Sequence, residues 1–241
     1  MITTSDSSPP TPHAEPDRLR RLADDWAHGW AVSRGTPPPV AEPDGHRIEV
    51  GAPGHRVRYV LPDTTTVGHR ATTLTAPGTW LKVCAAPEVV LPALTPAWTV
   101  GDTEYLMSTD LSPEPAATPP RPYVVEIVSD GGVHDVVVRT TDGARAANGR
   151  IAVHGTAAVA DQVETAPEHR RRGLGRVVMS TACAVAYAAG ARRAVLVATE
   201  QGRALYGALG WSLESPVTPA HLPEISENGS GPVLAHEREN S

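Results

Sequence analysis

The sequence predicts an α/β (α+β) fold in which a sheet is flanked by helices, with an N-terminal, mainly β part that carries one helix. Three observations lead to this prediction. Stretches of alternating or continuous apolar residues, typical of strands, occur in both halves of the chain. Two segments of the second half carry helix signals at their ends. The chain has 241 residues, 40% of them apolar, which is enough to bury a sizeable core.

Composition excludes several classes of protein. The formal net charge of −6 argues against a nucleic-acid binder that relies on global charge. No run of about 18 apolar residues is present, and residues 1–16 lack the apolar core of a secretion signal. Two cysteines, Cys84 and Cys183, cannot build a disulfide framework. We therefore expect a cytoplasmic protein with neither a nucleic-acid nor a membrane partner.

The N-terminal half begins with a Pro-, Ser- and Thr-rich stretch, residues 1–16, predicted to be a disordered tail. A helix is predicted over 18–33, because Leu19, Leu22, Trp26 and Trp30 share one helical face. The two tryptophans are interpreted as core residues.

Proline sets the predicted domain boundaries. Alternating residues around Pro53-Gly54 predict a hairpin, so residues 17–111 are expected to form an α+β domain. Residues 112–122 contain five prolines and are predicted to be a linker. Residues 123–241 would form the second domain.

The second half is predicted from its turns and helix caps. Ala147–Arg150 contains Asn-Gly, which predicts a hairpin turn. A helix is expected from Leu174 to Ala189, and Thr199 is expected to cap a second helix. A last strand is expected at 233–236.

The segment from Arg170 to Arg176 lies between a predicted strand and a predicted helix. Its glycines allow a tight turn, and the helix N-terminus offers N–H groups to an anion. Four arginines in seven residues add bidentate phosphate donors. The segment is neither a P-loop nor a dinucleotide fingerprint. Taken alone, it fits a phosphate site and a solvated basic turn equally well.

Two motifs together resemble a known family. The run from Val163 to Gly175 resembles the cofactor motif of the GNAT superfamily of N-acetyltransferases, where a strand leads into R/Q-x-x-G-x-G/A and a long helix. Arg170, Gly173 and Gly175 occupy the signature positions. Downstream, residues 204–211 resemble the family's L-Y-x-x-x-G-F element, with Trp211 in place of phenylalanine.

The resemblance implies a mixed, mostly antiparallel sheet in residues 123–241 and acetyl-CoA, or another acyl-CoA, as the co-substrate. The pantetheine would pair with backbone groups of the strand, and the pyrophosphate would lie on the amides of the loop. The cofactor-binding residues implied are Val163, Thr165, Arg170, Arg171, Arg172, Gly173, Leu174, Gly175, Arg176 and Thr199.

The resemblance also suggests catalytic residues. Tyr206 occupies the family position that protonates the departing CoA sulfur, and a phenol remains protonated at neutral pH. The glutamate that serves many family members as base corresponds to Val159 here. Asp161 faces the same side of that strand and is the candidate base. Glu164 and His154 are weaker alternatives, and an acceptor amine of low pKa needs no base.

Other catalytic chemistries are not supported. Neither cysteine has a histidine partner in the sequence pattern, so an acyl-cysteine intermediate is not expected. The histidines show neither H-x-x-x-H nor H-E-x-x-H spacing, and no metal is expected.

The acceptor site departs from the family. Residues 123–151 leave no room for the two helices that usually form the acceptor pocket. Either the N-terminal half, as a degenerate domain of related topology, supplies that wall, or the chain is a non-catalytic acyl-CoA sensor or scaffold. The first alternative predicts an N-acetyltransferase acting on a primary amine of a small molecule, amino acid or peptide. The choice between monomer and homodimer stays open.

Overall fold

A computed structural model describes residues 16–224 of the chain. The tail predicted over 1–16, apart from Pro16, and the strand predicted at 233–236 lie outside the described residues. Pro16 is the first residue of a helix. None of the helices in this part of the chain combines the length and the apolar character that a membrane span requires.

The helices and strands of residues 16–224 follow one another in mixed order. The helices are α1 (Pro16–Arg34), α2 (Val67–Thr73), α3 (Pro87–Val90), α4 (Leu174–Ala188) and α5 (Glu200–Ala208). The strands are β1 (Val40–Glu42), β2 (Gly45–Ala52), β3 (His55–Leu61), β4 (Thr79–Val83), β5 (Thr99–Val100), β6 (Glu104–Asp110), β7 (Val124–Asp130), β8 (Val133–Arg139), β9 (Arg145–His154), β10 (Ala157–Thr165), β11 (Arg193–Ala198) and β12 (Ser212–His221).

The strands form one twelve-stranded sheet in the order β1-β2-β3-β4-β12-β6-β11-β10-β9-β8-β7, and β5 pairs with β12 beside this path. Neighbouring strands are antiparallel except at β3/β4 and β10/β11, which are parallel. The sheet is therefore mixed and mostly antiparallel, with helices packed on it. This confirms the fold class that the sequence predicts, except that the N-terminal half carries three helices, α1, α2 and α3, where one is expected.

The two halves of the chain exchange strands. Strand β6 precedes residues 112–122, yet it pairs with β11 and β12, which follow them. In return, β12 pairs with β4 of the first half. In each half, a helix connects two parallel neighbouring strands. A strand from the other half then pairs with the second of these two strands. The division of the chain at 112–122 stays a prediction, but its two sides share one sheet.

Helices α1 and α4 cover opposite faces of the second half of the sheet. On β10 and β11, Val159 and Val195 pack with α1. The alternate residues Ala158 and Leu196 pack with α4. Strands β7 and β8 form a direct hairpin, which confirms that no helices lie between them. The helix over that face comes instead from the N-terminal half.

Helix α1 confirms the prediction over 18–33, extended by a few residues at its ends. Trp26 and Trp30 are buried, as expected for core residues. Gly29 brings the helix close to the sheet, because a Cβ there would lie 2.3 Å from Cγ2 of Val159. The hairpin predicted around Pro53-Gly54 is also confirmed, as β2 and β3.

The hairpin turn predicted at Ala147–Arg150 is wrong, because these residues lie inside β9. The turn lies earlier, where the Thr140 N–H donates to the Ala144 carbonyl. The Asn-Gly pair serves close packing instead. Asn148 donates to the Gln162 carbonyl across a bulge in β10, and a Cβ on Gly149 would lie 2.5 Å from Val178 of α4.

Candidate active site

A loop rich in arginine, which we call the arginine loop (residues 170–176), connects β10 to α4. Its backbone turns through positive φ angles at Arg171 (60°) and at Gly173 (77°), which is the N-cap of α4. The Val177 N–H makes a helical hydrogen bond to the Gly173 carbonyl. The N–H groups before it have no partner within the helix. The loop therefore presents backbone donors at a positive helix end, which suits an anion.

The arginines of the loop divide into two groups. The Arg170 side chain donates to the Thr165 carbonyl, and Arg172 donates to the Tyr123 hydroxyl and the Glu168 carbonyl. These two side chains brace the loop. Arg171 and Arg176 are exposed and make no side-chain hydrogen bond within residues 16–224. They are the two loop arginines best placed to meet a phosphorylated ligand.

Strands β10 and β11 separate beside the loop. Their parallel pairing covers only Ala157–Val159 against Arg193–Val195. Beyond it, β10 carries a bulge between Asp161 and Glu164, where Gln162 has a φ of 55°. The bulge bends the strand and widens the gap. Val163 and Thr165 lie in this separated part of β10, where the sequence predicts contact with pantetheine. The Val163 side chain is buried against α4, so only its backbone suits that role.

Helix α5 closes the other side of the gap. The Thr199 hydroxyl accepts from the Gly202 N–H and caps the helix, as predicted. Gly175 of the loop lets α5 come close, because a Cβ there would lie 3.0 Å from Leu205. Leu174 is buried beneath the loop.

Tyr206 of α5 is almost fully buried, and its ring centroid lies 6.0 Å from that of Trp211. Burial, aided by the negative charge of Asp161, raises the pKa of the phenol above its ordinary value. No hydrogen bond to its hydroxyl is formed within residues 16–224. The phenol thus stays protonated and has a proton to donate.

Asp161 is buried, and both of its carboxylate oxygens are engaged. Oδ2 accepts from the Ser33 hydroxyl and the Arg34 Nε, each at 2.6 Å. Oδ1 accepts from Arg34 Nη2 and from the Gln162 N–H, each at 2.9 Å. The carboxylate therefore holds the C-terminal end of α1 against the bulge of β10. Its predicted role as general base stays a prediction, and these contacts favour a positioning role.

Comparison with known families identifies this region. Residues 94–211 match the model described as the acetyltransferase (GNAT) family. These residues are a GNAT acetyltransferase domain. The match begins at Leu94, before the proline-rich segment, and takes in β6. A search of curated proteins finds no match.

The GNAT fold extends over nearly the whole described chain. A GCN5-related N-acetyltransferase from Kribbella flavida superposes with a TM-score of 0.57 at 16% identity, covering 86% of this chain and 96% of that one. A GNAT-family putative acetyltransferase from Novosphingobium aromaticivorans gives a TM-score of 0.53 at 18% identity, covering 88% and 100%. A tandem GNAT protein from the clavulanic acid biosynthesis pathway gives 0.51 at 12% identity, covering 87% and 97%.

The other side chains considered from the sequence lie away from the GNAT site or are inert. His154 pairs opposite Ala157, whereas Asp161 pairs opposite Arg150, a separation of roughly 13 Å along the ladder. Glu164 is exposed. Burial raises the pKa of the Cys84 thiol to about 12, which argues against a thiolate nucleophile.

A groove of about 430 Å³ runs along α4 of the GNAT domain. Arg176, Met179 and Ser180 line one side, and Leu111 and Trp211 line the other. The proline-rich segment crosses α4 here, where the Ala117 N–H donates to the Ser180 hydroxyl. The groove thus begins at the arginine loop.

Sequence analysis missed three residues that lie outside the motifs and hold the site in position: Ser33, Arg34 and Arg150. Ser33 and Arg34, at the end of α1, hold Asp161. Arg150 of β9 donates to the Ser33 carbonyl at 2.8 Å and pairs with Asp135. The sequence offered one signal, since Ser33 and Arg34 are the last polar residues before the predicted helix stop. Their contact with Asp161 of β10 forms only in the folded chain, so no local sequence pattern predicts it.

Proposed function

We propose that the chain is an acyl-CoA-dependent N-acyltransferase that transfers an acetyl group to a primary amine. The observation that carries this proposal is the arginine loop at the N-terminus of α4, beside the gap between β10 and β11, with Tyr206 buried next to it. The acceptor class proposed is a small molecule, an amino acid or a peptide, and the proposed location is the cytoplasm.

Acetyl-CoA fits the residues of this site. Its pyrophosphate suits the N–H groups that open α4 and the exposed guanidinium groups of Arg171 and Arg176. Its pantetheine arm suits the separated part of β10 around Val163 and Thr165, beside the arginine loop. The thioester would then lie near Tyr206, between the bulge and α5.

The reaction proposed is direct transfer. The neutral amine nitrogen attacks the thioester carbonyl, and a tetrahedral intermediate forms. The C–S bond then breaks, and the Tyr206 hydroxyl gives its proton to the leaving CoA sulfur. The nitrogen loses its extra proton to water, so an amine that arrives neutral needs no side-chain base. Tyr206 regains a proton from solvent before the next turnover.

We propose a single acyl-CoA site. The N-terminal counterpart of the arginine loop is the connection from β3 to α2, residues 62–66. It contains neither glycine nor arginine, and the Asp63 carboxylate accepts from the Thr65 N–H. Helix α2 spans only Val67–Thr73. The strand exchange and the likeness to a tandem GNAT protein support an N-terminal half that is a degenerate GNAT-like unit.

The decisive experiment is thiol release from acetyl-CoA with a panel of diamines, amino acids and peptides. Replacing Tyr206→Phe should lower kcat about a hundredfold, within the range for general acids, with little change in the KM for acetyl-CoA. Tyr187→Phe, on the face of α4 where the ring contacts Arg192, is the matched control. A protein that binds CoA but releases no thiol with any amine would be the non-catalytic sensor.

A further inference from the structure

A cluster of imidazole and carboxylate groups lies outside the proposed active site, where α1 meets β2 and the end of β9. Asp24 and His28 stand one turn apart on the same face of α1, and His46 faces them from β2. These three residues, which we call the helix–strand triad, play no part in the proposed acyl transfer.

The ligand atoms of the triad are close enough to share one ion. Asp24 Oδ1 lies 3.0 Å from His46 Nε2 and 3.5 Å from His28 Nδ1, and all three ligand atoms lie within 4.8 Å of one another. Ligands at about 2.0–2.1 Å from a tetrahedral Zn²⁺ are about 3.3 Å apart. The two carboxylate–imidazole distances bracket that spacing, so a small movement of the His28 ring would complete the triad.

The His28 ring packs against two other imidazole rings. It stacks on His154 with centroids 4.9 Å apart and planes 16° from parallel. It meets the ring of His46 edge-on at 5.0 Å. His28 Nδ1 also lies 3.0 Å from the Asp24 backbone carbonyl, to which it donates in its Nδ1-protonated form. A metal ion would replace that proton, and the stacked His154 would hold the ring in place.

The triad opens into a pocket of about 320 Å³, which Asp24 and His46 line together with Arg20, Glu42 and Pro62. Solvent therefore reaches Asp24 and His46 through this pocket. Three ligands with an open position suit an ion that keeps a bound water. Two imidazoles and one carboxylate favour Zn²⁺, Co²⁺, Ni²⁺ or Cu²⁺ over Mg²⁺ and Ca²⁺, which prefer all-oxygen sites.

We propose that Asp24, His28 and His46 form a site for a divalent transition-metal ion of the Zn²⁺ class, which ties α1 to β2. Sequence patterns do not show this site, because only one histidine lies on the helix. Its spacing is Asp-x-x-x-His, and the third ligand comes from a neighbouring strand. The proposal does not depend on the acyl-transfer reaction.

The test is a titration of the full chain, prepared without a histidine tag, with Zn²⁺ and Co²⁺. We expect one ion per chain by calorimetry, an increase in Tm with Zn²⁺, and the visible absorption of four-coordinate Co²⁺. Mg²⁺ should leave Tm unchanged.

Two ligand variants and one control assign the site. Asp24→Asn and His46→Gln should each weaken Zn²⁺ binding at least tenfold and abolish the Co²⁺ spectrum. His69→Gln, at an exposed histidine of α2, should behave as the parent chain. Asp24 is half-exposed, so its variant is expected to fold even if His46→Gln does not. Unchanged Zn²⁺ affinity in Asp24→Asn, or equal Tm shifts with Mg²⁺, would overturn the assignment.

Discussion

The contact between Arg34 and Asp161 can be tested by separating a structural role of the carboxylate from a catalytic one. Asp161→Asn keeps the size of the side chain but removes its charge. The Ser33 hydroxyl and the Arg34 guanidinium both donate to Asp161, and the NH₂ group of an asparagine cannot accept from them. Arg34→Gln removes the other partner and leaves the carboxylate in place. The two variants and their combination form a double-mutant cycle.

The magnitude follows from the four hydrogen bonds to the carboxylate. Breaking a buried ion pair by removing one partner costs about 3–5 kcal/mol. The Arg34 side chain is 26% exposed, so water can solvate it once its partner is lost. We therefore expect Asp161→Asn to lower the free energy of unfolding by about 2–4 kcal/mol, with a coupling energy near ~2 kcal/mol between the two positions.

Urea unfolding measures the stability of each variant, and thiol release measures its turnover. If Asp161 positions α1, both single variants lose stability and activity in parallel. If Asp161 is the general base, Arg34→Gln keeps most of its turnover while Asp161→Asn loses it. The positioning argument fails if Asp161→Asn unfolds within about 0.5 kcal/mol of the parent chain, the range of an unconnected surface change.

Three further outcomes follow from the structure. Above pH 9 the unfolded chain releases the Cys84 proton, whereas the native pKa is about 12. Cys84 should therefore contribute a fall in stability of up to about 1.4 kcal/mol per pH unit between pH 9 and 12, and Cys84→Ala should remove that contribution in a urea series while the similar one of Cys183 remains. Gly29→Ala forces a methyl group against β10 and should cost about 1–3 kcal/mol, whereas Gly207→Ala on α5, where a Cβ meets nothing within 4 Å, should be neutral or stabilising in thermal unfolding. A fragment of residues 121–241 lacks α1 and β6 and should show neither cooperative unfolding nor thiol release; full acyl transfer by it would refute a site shared between the halves.

The elements that the sequence predicts well are those set by local signals. Helix α4 and its loop follow from glycines and a helix start within a few residues of one another. The Thr199 cap and the face of α1 that carries Trp26 and Trp30 also depend on neighbouring residues alone. Periodicity and capping act within one or two turns of chain, so a sequence shows them directly.

What the sequence does not show depends on pairing between distant segments. Asn148-Gly149 has the composition of a turn. In the structure, however, the asparagine donates across the bulge of β10, and the glycine leaves room for α4 to pack closely on the strand. Burial of Gly149 beneath a helix overrides its turn propensity. Ser33 and Arg34 likewise reach Asp161 only when α1 packs on β10.

The exchange of β6 and β12 explains why the change in composition at 112–122 does not coincide with the start of the family match. The change in composition at 112–122 marks where the chain leaves the sheet and crosses α4. The family match begins at Leu94 and therefore includes β6, which pairs with β11. Leu106 and Met107 of β6 are buried, each on a different face, so the second half without β6 would expose both of its cores. The half of the chain that follows residues 112–122 therefore depends on the half before them for a central strand and for α1, and the position of Asp161 depends on the same helix.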